Sequence, residues 1–384
     1  MKEDFNRLRL KHHGDPAMME EILQRECRYK TSSKLPETLK CEDFRFPSLA
    51  VAEMSTSDAV ASVHAAMVPD GSRVLDMTCG LGIDAFRFAR KCADVTTVEL
   101  DHHTALTARH NAEALGLTNV SIVEGESIEF LERTDGMFDV IFVDPARRNA
   151  SGRHFLLKDC SPDIIPHLPL ILSHCRTLII KASPMIDITA AVGELGYDCE
   201  VKVIGTAKEC KEVVFRIDSY ASPSTKPSVS GIEAITVGHT GFSYIPADET
   251  AESIPPYASP VAGGCLYEPY PAVMKAGGMK ILSRRYGVAR LHGNTNLFTS
   301  PFRVSSFPGA VFEILDVLPF SKQTVRTIGQ KYQTINVATR NFPLTAPQLS
   351  AKLKTKDGGD RMLFGTTAPD GSKILVITTM GENL

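Results

Sequence analysis

Between residues 73 and 218 the chain alternates short β-branched, apolar runs with stretches whose apolar residues recur at helical spacing. The runs beginning at Val74-Leu75 and those over 95–101, 120–123, 138–143 and 177–182 predict buried strands. The stretches 104–115 and 187–195 predict helices, stopped by Gly116 and Gly196. Two further strands, 200–204 and 212–218, flank a Gly-Thr-Ala-Lys turn and can pair as a hairpin. This succession is α/β: a largely parallel sheet covered by helices on both faces, with an antiparallel last strand.

Residues 1–70 read as a helical N-terminal segment, polar at first. Ser55 or Thr56 is placed to cap a helix through Val60, Val63, His64 and Met67, whose start forms a lip over the following turn. The domain over 71–262 ends in a β extension, with strand-like pieces at 232–237 and 242–245 and a linker at 247–264. Tyr267-Glu268-Pro269-Tyr270-Pro271 then reads as the opening of a helix, and 296–299 as a strand, within a small domain at 263–307. A last domain, 308–384, has a compact α+β pattern: strand 311–317, helix 321–330, strand 334–339, helix 346–353 and a hairpin of 361–365 with 373–378.

Composition and short motifs narrow the picture. Nine cysteines without a C-x-x-C pair suit reduced thiols in a cytoplasm and argue against zinc or iron–sulfur ligation. His12-His13 has no further ligand at suitable spacing, so no metal is expected. The start, Met-Lys-Glu-Asp-Phe, lacks the apolar segment of a signal peptide, and no apolar run spans a bilayer, so no membrane partner is expected. The net charge of −3 hides an asymmetry, because 269–340 carries ten basic residues against Glu313 and Asp316. A basic appendage beside an acidic half is the footprint of a polyanion binder.

The chemistry gathers at strand ends, where open parallel sheets bind ligands. Asp76 precedes a turn with Gly80 and Gly82, and Ala85 stands where a dinucleotide fingerprint allows a third glycine. A carboxylate there repels a pyrophosphate and suits an ammonium, such as the amino-acid end of S-adenosylmethionine. Glu99 can accept both ribose hydroxyls, and Glu126 the adenine amino group. Thr78, Asp84, Leu100 and Ser127 complete the expected cofactor site. A nicotinamide dinucleotide also favours an acid near Glu99, so the discrimination lies in four acids in series: Asp76, Glu99, Glu126 and Asp144. Asp144-Pro145 is the candidate reaction corner: a carboxylate beside a rigidified carbonyl holds the hydrogens of an exocyclic amine and aims its lone pair at a methyl-sulfonium.

Asp76-x-x-x-Gly80-x-Gly82, Glu99, Gly125-Glu126-Ser127 and Asp144-Pro145 resemble the ordered motifs of class I S-adenosylmethionine-dependent methyltransferases, which have a Rossmann-like sheet. Leu266-Tyr267-Glu268-Pro269 through Met274-Lys275-Ala276-Gly277 resembles the ferredoxin-like segment of one bacterial family of them. Phe307-Pro308-Gly309, Arg340-Asn341-Phe342-Pro343-Leu344 and Lys356-Asp357-Gly358-Gly359-Asp360 resemble its THUMP-like segment. The resemblance implies RNA methylation, since THUMP-type domains bind RNA and the catalytic half is similar to guanine-N2 and trimethylguanosine methyltransferases. It implies catalytic roles for Asp144, Pro145 and Arg147, and substrate contacts from Arg147, Arg148, Phe155, Lys181, Arg284 and Arg285. One departure stands out. Base-amine methyltransferases read Asp/Asn-Pro-Pro and then an aromatic, whereas this chain reads Asp144-Pro145-Ala146-Arg147. The Arg147 guanidinium can stack or grip a phosphate, or Phe155 can supply the ring. The expected substrate is a guanine N2 or adenine N6 amine of tRNA or rRNA. The alternatives are a methyltransferase for a protein or small molecule whose C-terminal domains oligomerise, and a non-catalytic scaffold.

Overall fold

The computed structural model describes residues 4–147 and 156–380. The chain divides into two compact units, Met1–Glu200 with Glu212–Ser228, and Val201–Lys211 with Val229–Leu384.

In the first unit five parallel strands, β1 (Arg73–Asp76), β2 (Asp94–Glu99), β3 (Val120–Glu124), β4 (Phe138–Val143) and β5 (Cys175–Ala182), lie in the order β3-β2-β1-β4-β5. A sixth, β6 (Cys210–Asp218), runs antiparallel to β5, with Thr177 opposite Asp218. The central strand β4 buries every residue but Asp139, because helices cover both faces, so its sequence is a continuous apolar run rather than an alternation. The parallel register brings the carboxyl ends of β1, β2, β4 and β5 to one edge, and the acids at those ends travel with them.

The helices of this unit include α1 (Phe5–His12), α2 (Pro16–Thr31), α3 (Leu49–Met54), α4 (Asp58–Ala66), α5 (Ile83–Ala89), α6 (His102–Ala114), α7 (Ser127–Glu132), α8 (Leu168–Ser173) and α9 (Ile188–Leu195). The N-terminal helices belong to the same body as the strands. Leu35, Phe44 and Phe46 are buried with Leu81 of the glycine turn, Ile83 and Phe86 of α5 and Ala108 of α6. The Asn111 side chain accepts from the Arg45 amide (2.7 Å) and donates to its carbonyl (2.9 Å). Arg28 donates to the Cys41 and Phe44 carbonyls. This scaffolding sets residues 47–56 against the strand ends. The cap of α4 is Ser57, whose hydroxyl accepts from the Val60 amide, and not Ser55 or Thr56 as the sequence suggested. A capping oxygen serves the amide three residues on, so only the residue directly before Asp58 is in reach.

The second unit holds an antiparallel pair, Val229–Thr236 with Phe242–Tyr244, and a seven-stranded sheet. Across that sheet run Ala289–Arg290, Phe298–Ser300, Cys265–Pro269, Gly309–Pro319, Lys373–Thr379, Arg361–Thr367 and Asn336–Thr339. Two expectations are corrected here. The stretch read as a linker contains a helix, Pro246–Ala251, whose Glu249 carboxylate accepts the Lys280 and Ile281 amides. The residues read as a helix opening form a strand, Cys265–Pro269, paired on both sides, with Tyr267 fully buried. Pro269 closes that strand and Pro271 is the first-turn proline of the next helix, Pro271–Ala276. Gly277 and Gly278, at φ +86° and +74°, then divide it from the helix Met279–Tyr286.

The helices Lys322–Lys331 and Ala346–Leu353 cover one face. Gly329 lets them approach: a Cβ there would lie 2.1 Å from the Leu353 carbonyl oxygen. Gly→Ala normally favours a helix interior by about 1 kcal/mol. Here we expect Gly329→Ala to destabilise this unit by roughly 2 kcal/mol or more, read as a lowered denaturation midpoint. A midpoint at or above that of the unaltered protein would contradict the packing. Among the described residues no helix is long and apolar enough to cross a membrane.

Candidate active site

A cavity of about 850 Å³ opens at the carboxyl edge of the first unit's strands, lined by the glycine turn, the loops after β2, β3 and β4, the lip at 47–56 and Lys181. Asp76 is buried beneath the turn. Asp76 Oδ1 accepts the Thr78 amide (2.9 Å) and Oδ2 the Thr97 hydroxyl (3.0 Å). Burial pushes its pKa up to about 7. Asp76 therefore shapes the turn from below and does not line the cavity. Gly80 and Gly82 both have positive φ, and a Cβ on Gly82 would strike the Phe86 ring at 2.4 Å.

The Gly80 amide donates to Glu99 Oε2 (2.8 Å) and the Asp101 amide to Oε1 (2.9 Å). Each Glu99 oxygen keeps a second lone pair, which is what a vicinal diol requires. Glu126 caps α7 through Oε2, accepting from Ile128 (2.8 Å) and Glu129 (2.9 Å), and Oε1 has no partner among the described residues. Thr78 Oγ1 accepts the Asp144 amide (2.8 Å), joining the glycine turn to the end of β4. Leu100, Ser127 and Asp84 also line the cavity, whereas Gly82 and Pro145 do not.

Behind this wall lies a ring of hydrogen-bonded and ion-paired groups that sequence reasoning missed. Asp84 Oδ2 accepts from Thr56 (2.6 Å), and Oδ1 meets His64 Nδ1 (2.7 Å). His64 Nε2 bonds Glu212 Oε1, and Glu212 Oε2 lies 3.7 Å from Lys181 Nζ. Lys181 Nζ returns to Thr56 (3.2 Å) and reaches Asp144 Oδ2 (2.5 Å). Burial opposes charge on His64, yet Asp84 and Glu212 on its two nitrogens prevail and push its pKa up to about 10. Burial likewise opposes the Lys181 ammonium, and Asp144, Glu212 and Asp84 outweigh it, raising its pKa above the ordinary lysine value. Asp84, though buried, is held below its usual range by the His64 imidazolium.

The sequence-predicted substrate residues therefore separate. Lys181 lines the cavity, but its three N–H groups face Asp144, Thr56 and Glu212. Arg284 and Arg285 lie in the second unit, where Arg284 pairs with Glu252 and Arg285 sits over the Phe242 ring at 5.0 Å. Arg148, Phe155 and the side chain of Arg147 lie outside the described residues. Each of two members carries a local signal but not the pairing: His64 falls on the core face of an apolar helix, and Glu212 interrupts an apolar strand.

The lining fits S-adenosylmethionine. The cavity is of cofactor size. Glu99, Asp101, Glu126, Asp84 and Asp144 set a cation-favouring potential around it, and the Glu99 and Glu126 oxygens offer acceptors for a diol and an amine.

Comparison with known proteins agrees with this geometry. Residues 74–152 match a methyltransferase domain, 266–308 a ferredoxin-like domain and 309–380 a THUMP domain-like family. An uncharacterised S-adenosylmethionine-dependent methyltransferase of Mycobacterium tuberculosis is 25% identical over 277 residues, 72% of this chain and 71% of its own. The crystal structure of a candidate methyltransferase from Porphyromonas gingivalis W83 superposes with a TM-score of 0.85 at 29% identity, covering 98% of this chain and 94% of that one. A 23S rRNA (uracil(1939)-C(5))-methyltransferase of Stenotrophomonas maltophilia is 36% identical over 84 residues, 21% of this chain and 19% of its own. With its acid-tipped sheet, its glycine turn and these three domain matches in order, the chain is an S-adenosylmethionine-dependent methyltransferase with ferredoxin-like and THUMP-like domains.

Proposed function

We propose that this enzyme methylates an exocyclic base amine, guanine N2 or adenine N6, in structured tRNA or rRNA. The observation that carries this reading is the corner at the end of β4. There Asp144 lines the cavity with Oδ2 held by Lys181 and Oδ1 without a hydrogen bond among the described residues. Bound S-adenosylmethionine supplies an electrophilic methyl group on a sulfonium. Glu99 and Glu126 are the residues to hold its ribose and adenine. Asp144 Oδ1 accepts an N–H of the incoming amine and so orients the nitrogen lone pair. Positioning suffices, since a sulfonium needs no strong base to accept an amine. Lys181, kept protonated by its carboxylates, is no base.

Transfer to a pyrimidine carbon instead requires a thiolate to raise electron density at that carbon. Among the described residues Cys79 is the cysteine of the cavity wall, and burial pushes its thiol pKa far above the ordinary range, which disfavours the thiolate. An amine is the better substrate for this wall.

The short matches to RNA methyltransferases and the basic second unit support RNA. Part of the charge excess seen in the sequence is local, because Arg284 pairs with Glu252 and Arg340 with Glu268. Exposed cations remain on the helix Lys322–Lys331, namely Lys322, Arg326 and Lys331. We expect the combined Lys322→Ala, Arg326→Ala, Lys331→Ala variant to bind tRNA and rRNA transcripts more weakly. The slope of log affinity against log salt should fall by about 2 to 3. An unchanged slope and affinity would remove this surface from the account. Nine cysteines without a C-x-x-C pair support a reducing compartment such as the cytoplasm.

A further inference from the structure

The ring behind the cavity draws on five separate elements: Thr56 before α4, His64 on α4, Asp84 on α5, Lys181 on β5 and Glu212 on β6, with Asp144 at the end of β4 as its outlet. Asp84, His64, Glu212 and Lys181 are all nearly inaccessible, so water screens their charges little. The carboxylates of Asp84, Glu212 and Asp144 interleave with the His64 and Lys181 cations. The raised pKa values of His64 and Lys181 keep both cations in place. Asp84, Asp144 and Lys181 reach from this ring into the cavity wall.

We propose that this ring is a charge-setting and positioning device: it fixes Asp144 Oδ2 through Lys181, and its buried charges set the field at the cavity wall that favours the sulfonium cofactor over the spent thioether product. The inference rests on reading the cavity as the cofactor site. S-adenosylmethionine carries one positive charge more than S-adenosylhomocysteine, and the two are otherwise nearly the same shape. A protein that bound both by shape alone would release its product slowly. A negative potential along this wall separates them without any contact to the methyl group. Lys181, His64, Glu212, Asp84 and Thr56 are on this account positioning residues, since they act through Asp144 and through the field.

The test is the ratio of S-adenosylhomocysteine to S-adenosylmethionine dissociation constants, measured by calorimetry on the full chain. Lys181→Met adds one net negative charge and should raise the ratio by roughly three- to tenfold, while kcat falls because Asp144 loses its anchor. Glu212→Gln removes one negative charge and should lower the ratio by a similar factor. Asp84→Asn reaches the same charge by another route and must move in the same direction as Glu212→Gln, which keeps the test open if one variant does not fold. Thr56→Val breaks the ring without changing charge and should leave the ratio unaltered. Opposite shifts in the two charge classes support the device. Shifts of one sign in all variants, or none, overturn it and leave a structural ring. Failure of the unaltered protein to bind either ligand would instead defeat the cavity reading itself.

Discussion

Asp144→Asn should lower kcat for methyl transfer by roughly 100- to 1,000-fold, with the cofactor dissociation constant changed less than about tenfold. The reason lies in the partner already present. Lys181 Nζ donates to Asp144 Oδ2 at 2.5 Å, and it will claim the one oxygen of an asparagine amide. The amide nitrogen then turns toward the substrate, so an N–H faces an N–H where the unaltered protein offers an acceptor. The lost interaction matters only when the amine is aligned for attack, so kcat and kcat/KM for the nucleic-acid substrate should fall together. Initial-rate kinetics with the Asp144→Asn protein check this, and a variant retaining more than a tenth of the activity would separate the corner from catalysis.

His64→Ala is expected to cause the largest loss of stability. Its two nitrogens hold Asp84 and Glu212, both buried, and alanine leaves those carboxylates without the imidazolium between them. Removing one member of a buried ionic network costs about 3–5 kcal/mol, or roughly 10 °C in the melting of this unit. The linkage gives a second signature. The folded protein holds the His64 proton up to about pH 10, against an ordinary histidine value of 6.5. Its contribution is full below pH 6.5 and is lost as the pH rises through 10. Scanning calorimetry should therefore show the unaltered protein losing stability between pH 7 and 10, and His64→Ala losing much less over that interval. Equal pH slopes in the two proteins would mean that the imidazole is not charged in the fold.

The sheet was legible because its signals are local. The apolar run over 138–143 is the observed β4, and Gly116 and Gly196 both take the left-handed conformation that ends a helix. Parallel register then carries Glu99, Glu126 and Asp144 to one cavity without further information. The ring was not legible for the opposite reason. His64 and Glu212 are 148 positions apart, and nothing in either neighbourhood names the other. Thr56 was read as a cap because a hydroxyl before a helix usually is one, and Ser57 took that role and left Thr56 to bridge Asp84 and Lys181. In the second unit, two prolines two residues apart looked like a helix start, whereas the first ends a strand. The basic excess was counted along the sequence, and the acids that neutralise part of it, Glu252 and Glu268, lie just outside the counted segment.

One measurement reaches the centre of the account: nucleoside mass spectrometry of purified tRNA and rRNA after incubation with this protein and isotopically methyl-labelled S-adenosylmethionine. The label is expected on a purine exocyclic amine in one of these RNAs, absent when the Asp144→Asn protein is used. Label on a pyrimidine carbon, or on protein while RNA stays unlabelled, would contradict it.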